Sequence, residues 1–269
     1  MRSDAGPLVI IGGAEDRRGE SKILRAFVEL AGAEAARLVV VSVASSAPVE
    51  VAGEYTETFR RLGAADAQAL HISARPDANK ARALRAVEEA TGVFFTGGDQ
   101  LRITQLLGGT KLDLLLHHRH EEGMVVAGTS AGAAMMSSVM IGGGTLDIRK
   151  MRVGIVRLEA GMDFLPGVLI DQHFEERGRL RRLLAAVAQH PHDLGLGLDE
   201  DTAVVVRDRA FEVVGSGSVT VIDAGGMTFT NLGELAEDDL LAICGVKVHV
   251  LPEGFRFDLR NRTPMLLED

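Results

Sequence analysis

Short apolar runs recur along the first half of the chain, each closed by a polar or glycine-rich break and followed by apolar residues at helical spacing. Leu8 to Ile11 stops at Gly12-Gly13, Leu38 to Val43 reads LVVVSV, Ala67 to Ile72 and Val93 to Thr96 follow, and Val125 opens a fifth run that delivers Ser130. Apolar runs of this length predict strands buried on both faces of a parallel sheet. Between them the spacing predicts helices over Ser21 to Ala31, Ala52 to Leu62, Asn79 to Ala90, Leu101 to Leu107 and Leu112 to His120, with Leu84 and Val87 facing inward. Strands alternating with helices imply βαβ units with right-handed crossovers, and such a sheet gathers its ligands at the carboxyl ends of its strands.

Beyond about residue 140 the pattern changes. Glycine-rich turns are expected around Gly142 to Gly144, a strand over Val168 to Ile170 leads into Asp171-Gln172-His173-Phe174, a helix spans Leu180 to Gln189, and a short strand over Leu194 to Leu198 ends at Asp199-Glu200-Asp201. From Thr202 onward AVVVRD, AFEVVG, SVTVID and VKVHVL read as short antiparallel strands with tight turns. The expected architecture is a single α/β domain over residues 1–269, a mostly parallel sheet with helices on both faces, extended by antiparallel strands over about 202–260.

Composition narrows the function classes. A net charge of −9 disfavours a nucleic-acid partner, because phosphate binding needs a basic surface. The single cysteine, Cys244, has no internal disulfide partner and is expected as a small buried residue, which suits a reducing compartment. MRSDAGPLVIIGG has no apolar stretch behind a basic start, and no run approaches the roughly 20 apolar residues of a membrane span, so a cytoplasmic protein without a membrane partner is expected.

The most suggestive chemistry lies in VVAGTSAGA, Val125 to Ala133, where an apolar run meets Gly-x-Ser-x-Gly. A strand-to-helix turn there would expose the Ser130 hydroxyl, Gly128 and Gly132 would keep the turn tight, and Ala131 would offer a backbone N–H to an oxyanion. The competing reading is a serine that caps the following helix. A base is required, and of the eight histidines His173 alone directly follows an apolar strand within a dense polar group. His117, His118 and His120 read as a solvated helix face rather than a metal site, and no metal or other cofactor is expected. The orienting carboxylate is expected at Glu200, with Asp199, Asp201 and Asp171 as rivals that spacing does not exclude. Arg179 and Arg182 can point the same way from one helix, and their planar forks suit a carboxylate.

With these residues assembled, the sequence resembles the cyanophycinase family of serine peptidases. The likeness rests on TGGDQ at Thr96 to Gln100, GTSAGA at Gly128 to Ala133, LPGVLIDQHFEERGRLRRL at Leu165 to Leu183 and GLGLDEDTA at Gly195 to Ala203, and it covers about Leu8 to Ala203. It implies a flavodoxin-like fold similar to class I glutamine amidotransferases and aspartyl dipeptidase. It further implies Ser130 as nucleophile, His173 as general base and acid, and Glu200 as its orienting carboxylate. Gly98 and Ala131 are the expected oxyanion donors, with the Asp99 amide as an alternative to Gly98. Gln100, Asp171, Gln172, Arg177, Arg179 and Arg182 are implied for the substrate pocket. The implied substrate is cyanophycin, a poly-aspartate with an arginine on each β-carboxyl, cleaved to β-Asp-Arg by a homodimer. Asp171 could hold the guanidinium and the arginines the free carboxylate. An aspartyl dipeptidase and a non-catalytic binding protein of the same fold are the alternatives; a nucleotide site is weaker, because Gly12-Gly13 lacks the rest of a dinucleotide fingerprint.

Overall fold

The computed structural model describes residues 5–144, 151, 155–236 and 239–265. Its first half follows the apolar pattern closely: β1 (Leu8–Ile11), α1 (Lys22–Leu30), β2 (Arg37–Val41), α2 (Pro48–Arg61), β3 (Asp66–Leu70), α3 (Ala81–Glu88), β4 (Gly92–Phe95), α4 (Gln100–Leu107), α5 (Lys111–Glu121) and β5 (Val125–Thr129). Helix α2 starts one turn before its apolar pattern, because Pro48 occupies the first helical turn, where its missing N–H costs nothing. After β5 comes α6 (Ala131–Ala134), a single turn and much shorter than AGAAMMSS suggests.

The remaining elements are β6 (Val139–Gly143), β7 (Arg157–Ala160), β8 (Val168–Gln172), α7 (Leu180–Gln189), β9 (Leu194–Leu198), β10 (Thr202–Arg207), β11 (Ala210–Gly215), β12 (Ser218–Asp223), β13 (Phe229–Thr230), β14 (Ile243–Cys244), β15 (Lys247–Pro252), β16 (Arg256–Asp258) and β17 (Thr263–Met265). Gly142 and Gly143, expected in turns, instead end β6, which pairs with β7 across an irregular register. Residues 145–150 and 152–154 of that glycine-rich segment lie outside the described residues. Cys244 lies on β14 and is exposed, contrary to its expected burial.

Two main sheets form. The nine-stranded sheet runs β17-β16-β11-β10-β1-β5-β4-β2-β3, and the four-stranded sheet runs β15-β12-β9-β8. Strands β1 to β5 are parallel, as are β8 and β9, while β10 turns antiparallel against β1. The expected antiparallel extension therefore divides: β10, β11, β16 and β17 widen the first sheet, whereas β12 and β15 complete the second.

Side chains alternate across each strand. Val9, Ile11, Leu38, Val40 and Phe94 face α1 and α2, where Phe27, Tyr55 and Phe59 close the core. Leu8, Ile10, Val39, Val41, Val93 and Phe95 face the other way, into a layer shared with the second sheet through Val168, Ile170, Leu196, Leu198 and Val219. In LGLGL the leucines point into that shared layer and the glycines point to the opposite side. There a Cβ on Gly195 would lie 2.9 Å from Val187 of α7, and one on Gly197 would lie 2.5 Å from the Phe174 ring. The alternation thus lets α7 and Phe174 pack on bare backbone.

Candidate active site

Strands β1, β5 and β4 are neighbours in the parallel part of the large sheet, so their carboxyl ends emerge side by side. Ser130 follows β5 in a backbone conformation of φ 52° and ψ −107°, costly for a residue with a side chain. The chain crosses itself too closely there for larger neighbours. A Cβ on Gly128 would lie 2.2 Å from the Gly132 oxygen, and one on Gly132 would lie 2.3 Å from the Phe95 oxygen. The Ser130 side chain makes no capping bond to α6, so the helix-cap reading fails.

The second sheet supplies the partners. β8 and β9 run parallel and end beside this turn, carrying His173 just past β8 and Glu200 just past β9. The junction is a set of backbone bonds to the end of β1: Ser130 N–H donates to the Ile11 oxygen at 3.0 Å, His173 N–H to Gly12 at 2.8 Å and Asp201 N–H to Gly13 at 2.8 Å. Ser130 Oγ lies 3.0 Å from His173 Nε2, and His173 Nδ1 lies 2.6 Å from Glu200 Oε1. With the Nδ1 proton directed at the carboxylate, Nε2 is left as the acceptor for the serine hydroxyl. The His173 side chain is nearly buried and that of Glu200 is partly open.

The rival carboxylates are committed elsewhere. Asp199 accepts from Glu175 N–H at 3.1 Å and from the Ser218 N–H and hydroxyl at 3.0 and 2.8 Å. Asp201 accepts from Asp16 N–H and the Ser216 hydroxyl, each at 2.9 Å. Asp171 is fully buried and receives Arg182 Nε at 2.9 Å, a shorter bond from Arg182 Nη2, and Arg179 Nη1 at 3.3 Å.

That last arrangement corrects two expectations. Asp171 is already occupied by two guanidinium groups, so it is not placed to hold one from a substrate. Arg179 and Arg182, with side chains 11% and 14% exposed, are internal partners rather than an open clamp. Burial lowers the Arg179 guanidinium to about 10, with Asp171 opposing the shift, so it remains charged at neutral pH. Arg179 also bonds the backbone and side-chain oxygens of the buried Gln172, which ties β8 to the start of α7. Arg177 is exposed and makes no ion pair among the described residues. Gln100 reaches β6, its Nε2 donating to the Ile141 oxygen at 2.7 Å.

Turn Gly97-Gly98 flanks the serine: a Cβ on Gly97 would lie 3.4 Å from that of Ser130. The Asp99 N–H is consumed by the Ala44 oxygen at 3.0 Å, and its carboxylate caps α4 through Leu101 N–H. Among the described residues the N–H groups of Gly98 and Ala131 have no protein acceptor, and neither do those of Gly97 and Gly132 in the same turns. No group of three or more His, Cys, Asp and Glu side chains suited to a metal occurs among the described residues.

The sequence reading missed Glu15, Tyr55 and Gly13. Glu15 is buried next to Ser130, held by the Tyr55 hydroxyl and, at 2.5 Å, by that of Thr129. Gly13 backs the imidazole, since a Cβ there would meet His173 Cε1 at 2.3 Å. The available signal was positional, a glycine pair and then a carboxylate directly after a strand at the carboxyl edge.

Residues 8–214 match the sequence profile of Peptidase family S51. The chain belongs to that family. This S51 peptidase is 38% identical over 260 residues to the cyanophycinase of Geminocystis herdmanii, covering 96% of this chain and 95% of that one. It is 39% identical over 258 residues to the cyanophycinase of Trichormus variabilis, covering 95% and 86%. In fold it is similar to a peptidase from an acI-B1 Actinobacterium, with a TM-score of 0.69 at 21% identity over 94% and 97% of the two chains. A putative peptidase E protein from Listeria monocytogenes superposes with a TM-score of 0.55 at 13% identity, over 79% of the S51 chain and 100% of that one.

Proposed function

We propose that this S51 peptidase is a cyanophycinase, cleaving the poly-aspartate backbone of cyanophycin to release β-Asp-Arg. The observation that carries the reading is the hydrogen-bonded chain Ser130–His173–Glu200 at the joined edges of two sheets, in a protein whose relatives over nearly its full length are cyanophycinases. Ser130 Oγ attacks the backbone carbonyl while His173 Nε2 takes its proton, and Glu200 stabilises the imidazolium that results. The N–H groups of Gly98 and Ala131 receive the oxyanion. The imidazolium then protonates the leaving amine, and water hydrolyses the acyl-enzyme by the reverse sequence of proton transfers. No metal or other cofactor takes part.

Arg177 is assigned the substrate carboxylate, a reading supported by its exposure and by the commitment of Arg179 and Arg182 to Asp171. Gln100 and Gln172 are assigned to the substrate pocket, where their bonds to Ile141 and Arg179 hold β6 and the start of α7 in position. A cytoplasmic homodimer with no nucleic-acid partner completes the reading, supported by the net charge of −9; among the described residues no helix is long and apolar enough to cross a membrane.

Purified protein incubated with cyanophycin, with Ser130→Ala alongside, tests the proposal by mass spectrometry of the soluble products. The expected result is β-Asp-Arg from the native protein, with turnover by the variant reduced by at least about a thousandfold and an unchanged circular dichroism spectrum. Comparable products from both proteins would remove Ser130 from the mechanism. Silence from both, with cleavage of an α-aspartyl dipeptide by the native protein alone, would replace the substrate and keep the nucleophile.

A further inference from the structure

Beside Ser130 lies a cavity of about 200 Å³ lined by Glu15, Arg17, Tyr55, Val51, Gly97 and Thr129. The Glu15 side chain is its acidic wall. It belongs to a residue only 5% exposed, and the groups that hold it are neutral: the hydroxyls of Tyr55 and Thr129. Among the described residues no Lys, Arg or His forms an ion pair with it. Arg17, which also lines the cavity, is held by Glu54 at 2.6 Å and lies with its guanidinium carbon 5.3 Å from the centre of the Tyr55 ring.

Burying a carboxylate without a counter-charge is unfavourable, and the penalty is offset when a cation arrives. A carboxylate offers about four acceptor sites, and two hydroxyls leave about two for a planar donor. Burial, reinforced by the neighbouring carboxylate, pushes the Tyr55 hydroxyl well above its usual range, so it remains a neutral donor and brings no second charge. Position completes the argument: Glu15 is bonded to Thr129, the residue directly before the nucleophile, so a cation held there belongs to the unit whose carbonyl Ser130 attacks.

We propose that Glu15 is the residue that selects the substrate's guanidinium, receiving the arginine side chain of the unit acylated onto Ser130. The assignment rests on the reading of Ser130 as nucleophile and replaces Asp171 as the acidic group of the pocket. It makes Glu15 a binding residue whose charge, rather than whose shape, sets the preference.

Two measurements separate this proposal from the choice of polymer. The first compares kcat/KM for cyanophycin and for a polymer carrying citrulline, the neutral ureido counterpart of arginine. Native protein is expected to prefer the guanidinium polymer by about 100-fold, and Glu15→Gln to lose most of that preference. The second needs no polymer: a small neutral phosphonofluoridate labels Ser130, and agmatine is added as a competitor. Agmatine is expected to slow labelling of the native protein and not of Glu15→Gln, each measured against its own uncompeted rate. Should Glu15→Gln fail to fold, Val51→Lys supplies a tethered cation to the same cavity and is expected to abolish protection, with Val51→Met as the control for size. Agmatine that fails to protect the native protein, or protects Glu15→Gln or Val51→Lys equally well, overturns the proposal. Labelling and agmatine protection without cleavage of cyanophycin would retire the polymer and leave the guanidinium site in place.

Discussion

At Gly13 the absence of a side chain makes room for the His173 ring. Its φ of 107° lies in the region glycine favours, and the space a Cβ would take is filled by the His173 ring. A methyl group there can be admitted only by tilting the imidazole away from Ser130 or by moving the end of β1, to which Ser130, His173 and Asp201 are all bonded. Gly13→Ala is therefore expected to lower kcat by about 100-fold, as a displacement of about 1 Å does in a positioned site. A loss of stability of about 1–3 kcal/mol should accompany it. Full activity in the variant would show that the backing of the imidazole is dispensable. Composition and spacing do not reveal this role, because a glycine pair after a strand looks the same whether it serves a turn or makes room for a ring. Ser130 and His173 were legible for the opposite reason: polar residues ending apolar strands stand out.

Among the elements, β8 and α7 are joined by charge. Leu183 and Val187 pack their helix face on the sheet, but the start of the helix is anchored by Arg179 and Arg182 on the fully buried Asp171. Arg182→Ala removes most of that compensation, and breaking a buried pair costs about 3–5 kcal/mol. The expected outcome is a clear fall in the denaturant midpoint together with reduced activity, because β8 carries His173 at its end. Replacing the whole cluster with apolar residues, Asp171→Leu with Arg179→Met and Arg182→Met, should recover much of the stability. A midpoint unchanged in Arg182→Ala would return the helix face to a solvated role. The helix itself was legible to the residue, Leu180 to Gln189, from its apolar spacing. The direction of its arginines was not, since a basic helix face and a buried ion-pair anchor share one periodicity. Much the same limit hid the division of the C-terminal strands, whose alternating pattern is alike in either sheet.

Across the molecule, α5 shows how the second layer affects stability. His118 is exposed as the sequence suggests, but His117 stacks on Phe164 with ring centres 4.3 Å apart, and His120 is buried beside the same ring. Burial holds the His120 imidazole below its ordinary value of 6.5, against the pull of its bond to the Met124 oxygen. A base whose folded value is depressed binds fewer protons in the fold than in the unfolded chain. Stability tied to it is thus fully present above about 6.5 and is lost as pH falls through the lower folded value. Between pH 7 and 5 the melting temperature should fall less in His120→Gln than in the native protein; equal slopes would place the acid sensitivity elsewhere.

The meeting of two sheets at the end of β1 also has a consequence in time. Ser130 is translated 43 residues before His173 and 70 before Glu200, and its partners reach it only once β9 has turned back into β10 against β1. A chain still emerging from the ribosome carries Ser130 before its hydrogen-bond partners have been made. The Ser130–His173–Glu200 chain of hydrogen bonds is therefore completed late in synthesis.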